Sequence, residues 1–313
     1  MRALVSSPSP PYVELAEVPD PQPERHQALV EVKAFSLNRG ESRRLPSMEP
    51  GTVAGWDVAG VVRAAAADGS GPKQGARVVG MVHPHGAWAE LAAVSTDVLA
   101  ELPDGITFEQ AATLPVAGVT ALRALEMGGF VLGKRVLVTG ASGGVGRFAI
   151  QLAKLAGAHV TALARRTEGL SELGADEVIH ELEPEGSSYE VIVDAVGGTT
   201  LGAAMGRIAA GGTVVSFANT TDEPVSFPTR TLFGRAPGAR LYGLYVFTEL
   251  ARRGTGTSDL RRLAELVVAG RLDPQIALVA PWTEAGTAIE ALLDRRVNGK
   301  AVLTVDGTGG GER

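Results

Sequence analysis

The sequence contains no cysteine among its 313 residues. This absence excludes disulfide bonds, thiolate nucleophiles and every metal site that depends on cysteine ligands. Aromatic residues are also scarce, at 5% of the chain, although hydrophobic residues as a whole reach 45%. The composition is that of a soluble globular protein with a sizeable core. At roughly 100–200 residues per domain, the length predicts two domains.

Long apolar runs and concentrated positive charge are missing as well. No uninterrupted apolar stretch reaches the roughly 18 residues of a transmembrane helix, and Met1 to Pro11 lacks the apolar segment of a signal peptide. We therefore expect a cytoplasmic protein that does not enter a membrane. The net charge is −6 and basic residues cluster only in pairs, so a nucleic-acid partner is disfavoured. A small-molecule substrate is the partner we expect.

The first third of the chain has the pattern of short β-strands. Residues Ala28 to Ala34 alternate apolar and polar side chains, as a half-buried strand does. Further short apolar runs at Val58 to Ala64 and Ala76 to Val82 are separated by glycine and proline turns. This arrangement predicts a small barrel-like domain.

Beyond Phe108 the pattern changes to alternating strands and helices, which predicts a parallel, doubly wound α/β sheet. The predicted strands are Arg135–Thr139, His159–Leu163, Val178–Ile179, Val191–Val193 and Thr213–Phe217. The predicted helices between them are Gly146–Leu155, Ser171–Leu173 and Leu201–Ala210. The last part of the chain is mixed, with predicted helices at Asp259–Ala269 and Glu284–Arg295, a strand at Ala301–Val305 and a disordered glycine-rich end at Asp306–Arg313.

A glycine-rich loop, V-T-G-A-S-G-G-V-G, spans Val138 to Gly146 between a predicted strand and a predicted helix. The dinucleotide fingerprint aligns with Ala141, Gly143 and Gly146, so alanine replaces its first glycine. A tight turn at a helix N-terminus offers backbone N–H groups to a pyrophosphate. The predicted pyrophosphate contacts are Ser142, Gly143, Gly144 and Val145. The alternative is a glycine-rich turn without a ligand.

The next predicted strand ends in a pair of arginines. NAD-binding proteins place an acidic residue at this strand tip to accept from the ribose 2′-OH. Here His159–Leu163 runs instead into Arg165 and Arg166. Two guanidinium groups suit a 2′-phosphate, so the sequence favours NADP(H), and NADPH is the predicted cofactor. The alternative is an exposed arginine pair on a loop.

Four stretches resemble a known family. They are G-W-D-V-A-G at 55–60, A-A-T-L-P-V-A-G-V-T-A at 111–121, Val136 to Lys154, and D-A-V-G-G at 194–198. Together they resemble the medium-chain dehydrogenase/reductase superfamily, in its zinc-free quinone oxidoreductase branch. The resemblance implies a Rossmann domain at 115–251 and a GroES-like, partly open β-barrel domain split between 1–114 and 252–313.

The resemblance also implies site residues. Thr120, Asn298 and Lys300 resemble cofactor-proximal positions of the family, although Lys300 could equally lie at the surface. Val196, Gly197 and Phe217 follow strands whose carboxyl ends should face the nicotinamide. For the substrate pocket, we expect Asn38, Trp56 and Tyr242.

Among these pocket residues, Asn38 resembles a family asparagine near the nicotinamide. Its amide could donate to a substrate carbonyl, which makes Asn38 the one catalytic candidate. An asparagine that closes a turn is the alternative. Trp56 either walls the pocket or packs. Tyr242 lies in an aromatic stretch, R-L-Y-G-L-Y-V-F at 240–247, which we predict as a strand. In relatives this region joins two subunits, so the resemblance is compatible with a homodimer. For the same reason, the resemblance favours a packing role for Tyr242 over acid catalysis.

The sequence departs from the zinc-dependent relatives at both ligand positions. The region Asn38 to Glu41 has no cysteine, and the relatives' G-H-E motif reads Gly55-Trp56-Asp57. The four-cysteine structural zinc lobe is absent too. His83 and His85 flank Pro84 without an apparent third ligand nearby, so they are interpreted as loop residues. We therefore predict no metal.

These observations predict a zinc-independent, NADPH-dependent oxidoreductase that transfers hydride to a quinone, enone or enoyl substrate. Two alternatives remain open at this point. One is a pathway-specific biosynthetic enzyme with unusual chemistry, and the other is a nucleotide-binding protein without turnover. A short-chain reductase is disfavoured because no Tyr-x-x-x-Lys element follows the glycine loop.

Overall fold

The computed structural model describes residues 1–183 and 185–305, and its packing divides the chain into two compact units. Unit 1 contains Met1–Val119 together with the described residues from Leu250 to Val305, and unit 2 is Thr120–Glu249. The predicted limits at 115 and 251 lie within a few residues of these junctions. The predicted disorder of Asp306–Arg313 concerns residues outside the described part.

The secondary structure is mixed, as predicted. The strands, in chain order, are β1 (Arg2–Ser6), β2 (Val13–Glu17), β3 (Gln27–Leu37), β4 (Asp57–Ala64), β5 (Arg77–Met81), β6 (Leu91–Ser95), β7 (Leu99–Glu101), β8 (Arg135–Thr139), β9 (His159–Leu163), β10 (Glu177–Ile179), β11 (Tyr189–Asp194), β12 (Ile208–Ser216), β13 (Arg240–Gly243), β14 (Ile276–Pro281) and β15 (Lys300–Thr304). The α-helices are α1 (Arg39–Arg44), α2 (Phe108–Ala112), α3 (Val119–Met127), α4 (Gly144–Leu155), α5 (Gly198–Met205), α6 (Val246–Arg253), α7 (Gly256–Val268) and α8 (Ala285–Leu293).

Short helices of other types complete the chain. Three are 3₁₀ turns, at Leu45–Ser47, Thr96–Val98 and Trp282–Glu284. Two are π-helical, at Leu114–Gly118 and Thr231–Arg235. No helix within residues 1–183 and 185–305 is both long and apolar enough to cross a membrane.

Unit 1 is organised around strand β3. Along one edge, β3 pairs antiparallel first with β6 and then with β15, and along the other edge it pairs with β4. The sheet follows the order β14-β15-β3-β4-β5-β7, with β6 attached to β3. Strand β3 therefore joins the beginning of the chain to its last described strand.

The core of unit 1 explains the pattern of β3. Val30, Val32 and Ala34 are buried and alternate with half-buried residues, as the period of two requires. At its end, Phe35 is fully buried and stacks on Trp88 with ring centroids 5.6 Å apart. Both rings belong to the hydrophobic core of unit 1.

Unit 2 is a six-stranded sheet in the order β10-β9-β8-β11-β12-β13, and every pair in it is parallel. The central strands β8 and β11 are continuous apolar runs whose middle residues are completely buried, because helices cover parallel sheets on both faces. From β8 the chain builds outward through β9 to β10. It then returns to β11 and builds the other way, so the strand order reverses between β8 and β11. The doubly wound α/β fold is thus confirmed.

Three local predictions were wrong. Ser171–Leu173 forms turns rather than a helix, because Gly169 and Gly174 take positive φ angles of 77° and 103° on either side of it. Helix α5 ends at Met205 and β12 already begins at Ile208, so the predicted helix to Ala210 is too long. The predicted strand at 240–247 stops at Gly243, and its last two residues begin helix α6.

We predict that Phe35→Ala lowers the free energy of unfolding by about 3–5 kcal/mol, because it leaves a cavity under the Trp88 ring. Phe35→Leu keeps most of the volume, so its cost should be about 1–2 kcal/mol. Urea unfolding followed by tryptophan fluorescence measures both values. Equal, small losses in the two variants would show that this ring pair does not anchor the core.

Candidate functional site

The loop between β8 and α4 is a tight turn. Gly140 has φ +61° and ends the strand run. Gly146 lies so close to the loop that an added Cβ would be 2.7 Å from Ala141 Cα, Ala141 O and Gly140 O. Two backbone bonds hold the loop, from Gly143 N to Gly140 O (3.0 Å) and from Ala141 N to Leu163 O (3.2 Å). Glycine at 146 therefore lets the helix pack against its own loop.

Helix α4 begins directly at this loop. Gly143 is its N-cap and has no side chain to cap the first turn. The first N–H groups of an α-helix have no partner within the helix, and its dipole is positive at this end. Ser142, Gly143, Gly144 and Val145 are all exposed or half-buried at this N-terminus. The four predicted pyrophosphate residues thus lie together at this accessible N-terminus, where the N–H of Gly143 already donates to Gly140 O.

The arginine pair follows the neighbouring strand. Strand β9 pairs parallel with β8 along its whole length, so their carboxyl ends lie side by side. Ala164 is buried, whereas Arg165 and Arg166 are exposed. Two cationic side chains therefore stand at the strand tip beside the glycine loop.

On the other side of the reversal, a buried carboxylate organises the end of β11. The Asp194 carboxylate accepts from Thr139 Oγ1 (2.6 Å), Ser216 Oγ (3.2 Å), Val196 N (3.3 Å) and Gly197 N (3.2 Å). It thereby joins the ends of β8, β11 and β12. The predicted residues Val196 and Gly197 lie in this turn, and Gly197 has φ +73°.

Three more predicted residues are in unit 2. Phe217 follows β12, is half-buried, and donates its N–H to Asp194 O at 3.1 Å. Thr120 is buried at the start of α3. Tyr242 lies on the edge strand β13, where its hydroxyl donates to Glu249 Oε2 at 2.6 Å.

Unit 1 contains a second set of predicted residues, which forms a buried ionic cluster. Lys300 is 3% exposed, so it is not a surface residue. Its ammonium donates to Asn38 Oδ1 (2.7 Å) and Leu37 O (3.2 Å) and lies 3.8 Å from Asp57 Oδ2. Asp57 accepts further bonds from Ser36 Oγ (2.5 Å) and Val116 N (2.9 Å). Asn298, half-buried, precedes this lysine in the turn into β15.

Glu41 completes the cluster from the first turn of α1. Its Oε1 accepts from Asn38 N (2.8 Å) and Asn38 Nδ2 (2.9 Å), whereas Oε2 is buried without a hydrogen-bond partner in the described part of the chain. Burial, and then the nearby Asp57 charge, raise the pKa of Glu41 well above the ordinary carboxyl value. Burial also lowers the pKa of Lys300, and the two carboxylates oppose this shift.

The raised pKa of Glu41 favours its neutral form in this cluster. Burial raises the pKa of Asp57, but its three hydrogen bonds and Lys300 favour the carboxylate. One ammonium and one carboxylate then leave no net charge, so the second carboxyl group is more stable protonated.

The amide of Asn38 is fully used in this arrangement. Its two Nδ2 hydrogens go to Glu41 Oε1 and to Asp57 Oδ2 (2.8 Å), and Oδ1 accepts from Lys300. Donation to a substrate carbonyl would require one of these bonds to break. The other predicted pocket residue of this unit, Trp56, is buried, and its indole N–H donates to Pro84 O at 2.7 Å.

The residues of unit 1 do not fit a catalytic zinc ion. The stretch Asn38 to Glu41 contains no cysteine, and neither the amide of Asn38 inside this network nor the indole of Trp56 is a zinc ligand. The ammonium of Lys300 already occupies the centre of the carboxylate cluster. Among residues 1–183 and 185–305, no group of three or more histidine, aspartate or glutamate side chains could hold a metal.

Several residues of these networks were missed in the sequence. Glu41 follows Asn38 by three positions, and N-x-x-E is the capping-box spacing, so it could have been noticed. Asp57 stood within the G-W-D-V-A-G motif, and Asp194 within D-A-V-G-G. Ser36 and Thr139 carried no signal, because each acts through a partner distant in sequence.

The fold and the glycine loop define a protein with a Rossmann-type dinucleotide-binding unit. Residues 24–104 match the family described as alcohol dehydrogenase GroES-like domain, and residues 173–303 match zinc-binding dehydrogenase. The mitochondrial NAD(P)H oxidoreductase RTN4IP1 of Mus musculus is 33% identical over 80% of this chain and 70% of its own length. The chain belongs to the medium-chain dehydrogenase/reductase superfamily, in its quinone oxidoreductase-like branch.

Two further similarities describe the extent of the match. The chloroplast envelope quinone oxidoreductase homolog of Arabidopsis thaliana is 38% identical over 57% of this chain and 59% of its own length. Across four plant relatives, the matched part spans between 51% and 59% of the relative's length. The quinone oxidoreductase structure from Coxiella burnetii is 28% identical, with a TM-score of 0.82, and the match covers 98% of this chain and 99% of that chain.

We predict that Gly146→Ala weakens dinucleotide binding about tenfold to a hundredfold, because its Cβ forces the helix start away from the loop at a cost of about 1–3 kcal/mol. Fluorescence titration with NADPH measures the change. Gly243→Ala is the control, since an added Cβ there meets nothing within 4 Å. Unchanged binding in Gly146→Ala would contradict a role for this close approach.

The raised pKa of Glu41 predicts a pH effect on stability. Its stabilising contribution is complete below the ordinary carboxyl pKa and is lost as the pH rises through the higher folded-state pKa. Glu41→Gln mimics the protonated acid, so the unfolding free energy of the variant should fall less between pH 5 and pH 8 than that of the wild type. Urea unfolding at both pH values tests this, and parallel pH profiles would exclude a protonated Glu41.

Proposed function

We propose that this chain is an NADPH-dependent, zinc-independent reductase that transfers hydride to a quinone, enone or enoyl substrate. The observation that carries the proposal is the pair of exposed cations, Arg165 and Arg166, at the strand tip beside the glycine loop. Membership in the quinone oxidoreductase-like branch supports the reaction class.

The residues of unit 2 fit a dinucleotide at the reversal of strand order. In open parallel sheets, ligands bind beyond the carboxyl ends of the strands at this position. The first turn of α4 offers uncapped backbone donors to the pyrophosphate. The turn after β11, fixed by Asp194, lies across the reversal and is our proposed nicotinamide side.

Selectivity for NADPH follows from the chemistry at the tip of β9. A 2′-phosphate carries negative charge and several acceptor oxygens, and a guanidinium group binds such an anion through paired N–H donors. NADH presents only a hydroxyl at this position, so the same two arginines contribute less to its binding. Both arginines are solvent-exposed, so their effect should weaken as the salt concentration rises.

Zinc independence rests on the donor set of unit 1. Because Asn38 and Trp56 are not zinc ligands and Lys300 occupies the carboxylate cluster, the substrate's developing negative charge would be stabilised without a metal. Conjugated carbonyls and quinones suit this situation, since hydrogen-bond donors can stabilise the enolate or phenolate oxygen. The nicotinamide supplies the hydride when it is bound.

We further propose a homodimer that uses the free edge of the unit 2 sheet. Strand β13 is the last strand in the order and pairs only with β12 among the described strands. Leu241 is 52% exposed on it, and Tyr245 just beyond it is 41% exposed. An edge with exposed apolar side chains is a site where a second sheet can pair.

The experiment is a fluorescence titration with NADPH and NADH, followed by NADPH oxidation assays with a panel of quinones and enones. We expect NADPH to bind more tightly, and Arg165→Ala/Arg166→Ala to weaken its binding about tenfold to a hundredfold while NADH binding changes little. Arg261→Ala/Arg262→Ala removes the same charge from exposed positions of unit 1 and should leave both affinities unchanged.

Two results would overturn the proposal. Equal affinities for NADPH and NADH in the wild type would remove the cofactor assignment. Tight NADPH binding without oxidation by any acceptor of the panel would favour a nucleotide-binding protein without turnover.

A further inference from the structure

Arg147 is a buried cation that the proposed function does not use. It lies in the first turn of α4, directly after the glycine loop, and only 4% of it is exposed. A guanidinium group loses its hydration when it is buried, so its N–H donors need partners. Two of the partners of this side chain are backbone carbonyls, and they belong to two separate loops.

The first carbonyl belongs to the glycine loop. Arg147 Nε donates to Ser142 O at 3.2 Å. The second belongs to the loop after β9, where Arg147 Nη2 donates to Glu168 O at 2.8 Å. Glu168 is two positions beyond Arg166. One planar guanidinium therefore links the proposed pyrophosphate loop to the proposed 2′-phosphate loop.

Gly169 turns the chain beside this link. It takes φ +77°, and a Cβ added there would lie 3.4 Å from Arg147 Nη1. The loop between Ala164 and Gly169 is also held near its two ends, by Ala164 N to Ile179 O (3.1 Å) and Leu170 N to Thr167 O (3.2 Å). The hydrogen bond from Arg147 Nη2 to Glu168 O lies between these two backbone bonds along the chain, two residues beyond Arg166.

We propose that Arg147 is a positioning residue for cofactor selectivity, which fixes the 164–169 loop against the glycine loop and so presents Arg165 and Arg166 to the 2′-phosphate. The inference rests on the proposed function, because it assigns those two arginines to NADPH. Pre-ordering the loop lowers the entropy cost of binding, so the benefit falls on the cofactor that uses the loop.

The test uses the full chain with Arg147→Met and Arg147→Lys. Methionine keeps an apolar stem without donors, and lysine keeps the charge but cannot form the same fork. We expect both affinities to fall in Arg147→Met, because Ser142 belongs to the pyrophosphate loop, but NADPH should lose more, so that the NADPH/NADH affinity ratio falls about five- to twentyfold. Arg147→Lys should lie between the wild type and Arg147→Met.

A matched control separates positioning from general destabilisation. Arg207 is likewise buried in unit 2 and donates to a loop carbonyl, Ser187 O, through Nε (2.9 Å) and Nη2 (2.7 Å). It precedes β12, so it lies at the opposite end of the sheet from the glycine loop. Arg207→Met should lower the melting temperature without changing the NADPH/NADH affinity ratio.

A double-mutant cycle tests whether Arg147 acts through the arginine pair. In the Arg165→Ala/Arg166→Ala background, Arg147→Met should cause no further change in the affinity ratio, because its effect requires those side chains. An undiminished effect would overturn the inference. If Arg147→Met does not fold, Gly169→Ala provides the second variant, since it strains the same loop and should reduce NADPH selectivity.

The outcomes also separate this inference from the proposed function. If the wild type selects NADPH and the arginine pair accounts for it, but Arg147→Met keeps the full selectivity, only the positioning role is overturned. If the wild type does not select NADPH, the proposed cofactor assignment fails, and the positioning role fails with it.

Discussion

The reversal of strand order between β8 and β11 is the constraint on which the candidate cofactor site depends. Parallel strands bring their carboxyl ends to one edge of the sheet. At the reversal, the loops that follow β8 and β11 lead away in opposite directions and leave a crevice between them. The glycine loop then follows β8, the arginine pair follows β9, and the turn at Val196 and Gly197 follows β11. Asp194 stabilises this edge because its carboxylate bonds the ends of three strands at once.

Unit 1 solves a different physical problem, the burial of charge. Asp57 and Lys300 are both almost completely buried, which is unfavourable unless each charge is compensated. Asn38 provides the link, since its amide donates to two carboxyl groups and accepts from the ammonium. One neutral side chain thus holds three ionisable ones, Glu41, Asp57 and Lys300, in place. A zinc ion would compete with Lys300 for the same negative charge.

The strands of unit 2 and the glycine loop could be predicted from the sequence, because their signals are local. Continuous apolar runs mark β8 and β11, and the glycine spacing marks the turn. The strand predicted at 240–247 was too long, because Val246 and Phe247 begin helix α6 instead of extending the strand. The buried position of Lys300 could not be predicted, because its partner Asn38 is 262 positions away in the sequence.

Arg147 illustrates a second limit of sequence reasoning. Within V-G-R-F-A-I-Q it resembles any polar residue on an amphipathic helix, and its burial depends on a loop that turns at Gly169. Its carbonyl partners carry no sequence signature, since every residue has a carbonyl oxygen.

The pairing of β3 with β15 also constrains how the chain is made. Ala301 pairs with Leu37, so the unit 1 sheet cannot be completed until the ribosome has synthesised the far end of the chain. Until then, part of one β3 edge remains open and the Asp57 carboxylate lacks the ammonium that later lies beside it. Unit 2 is continuous in sequence and does not have this delay. During translation, unit 2 can therefore fold first, whereas unit 1 cannot complete its sheet or its buried ion pair until Lys300 has been synthesised.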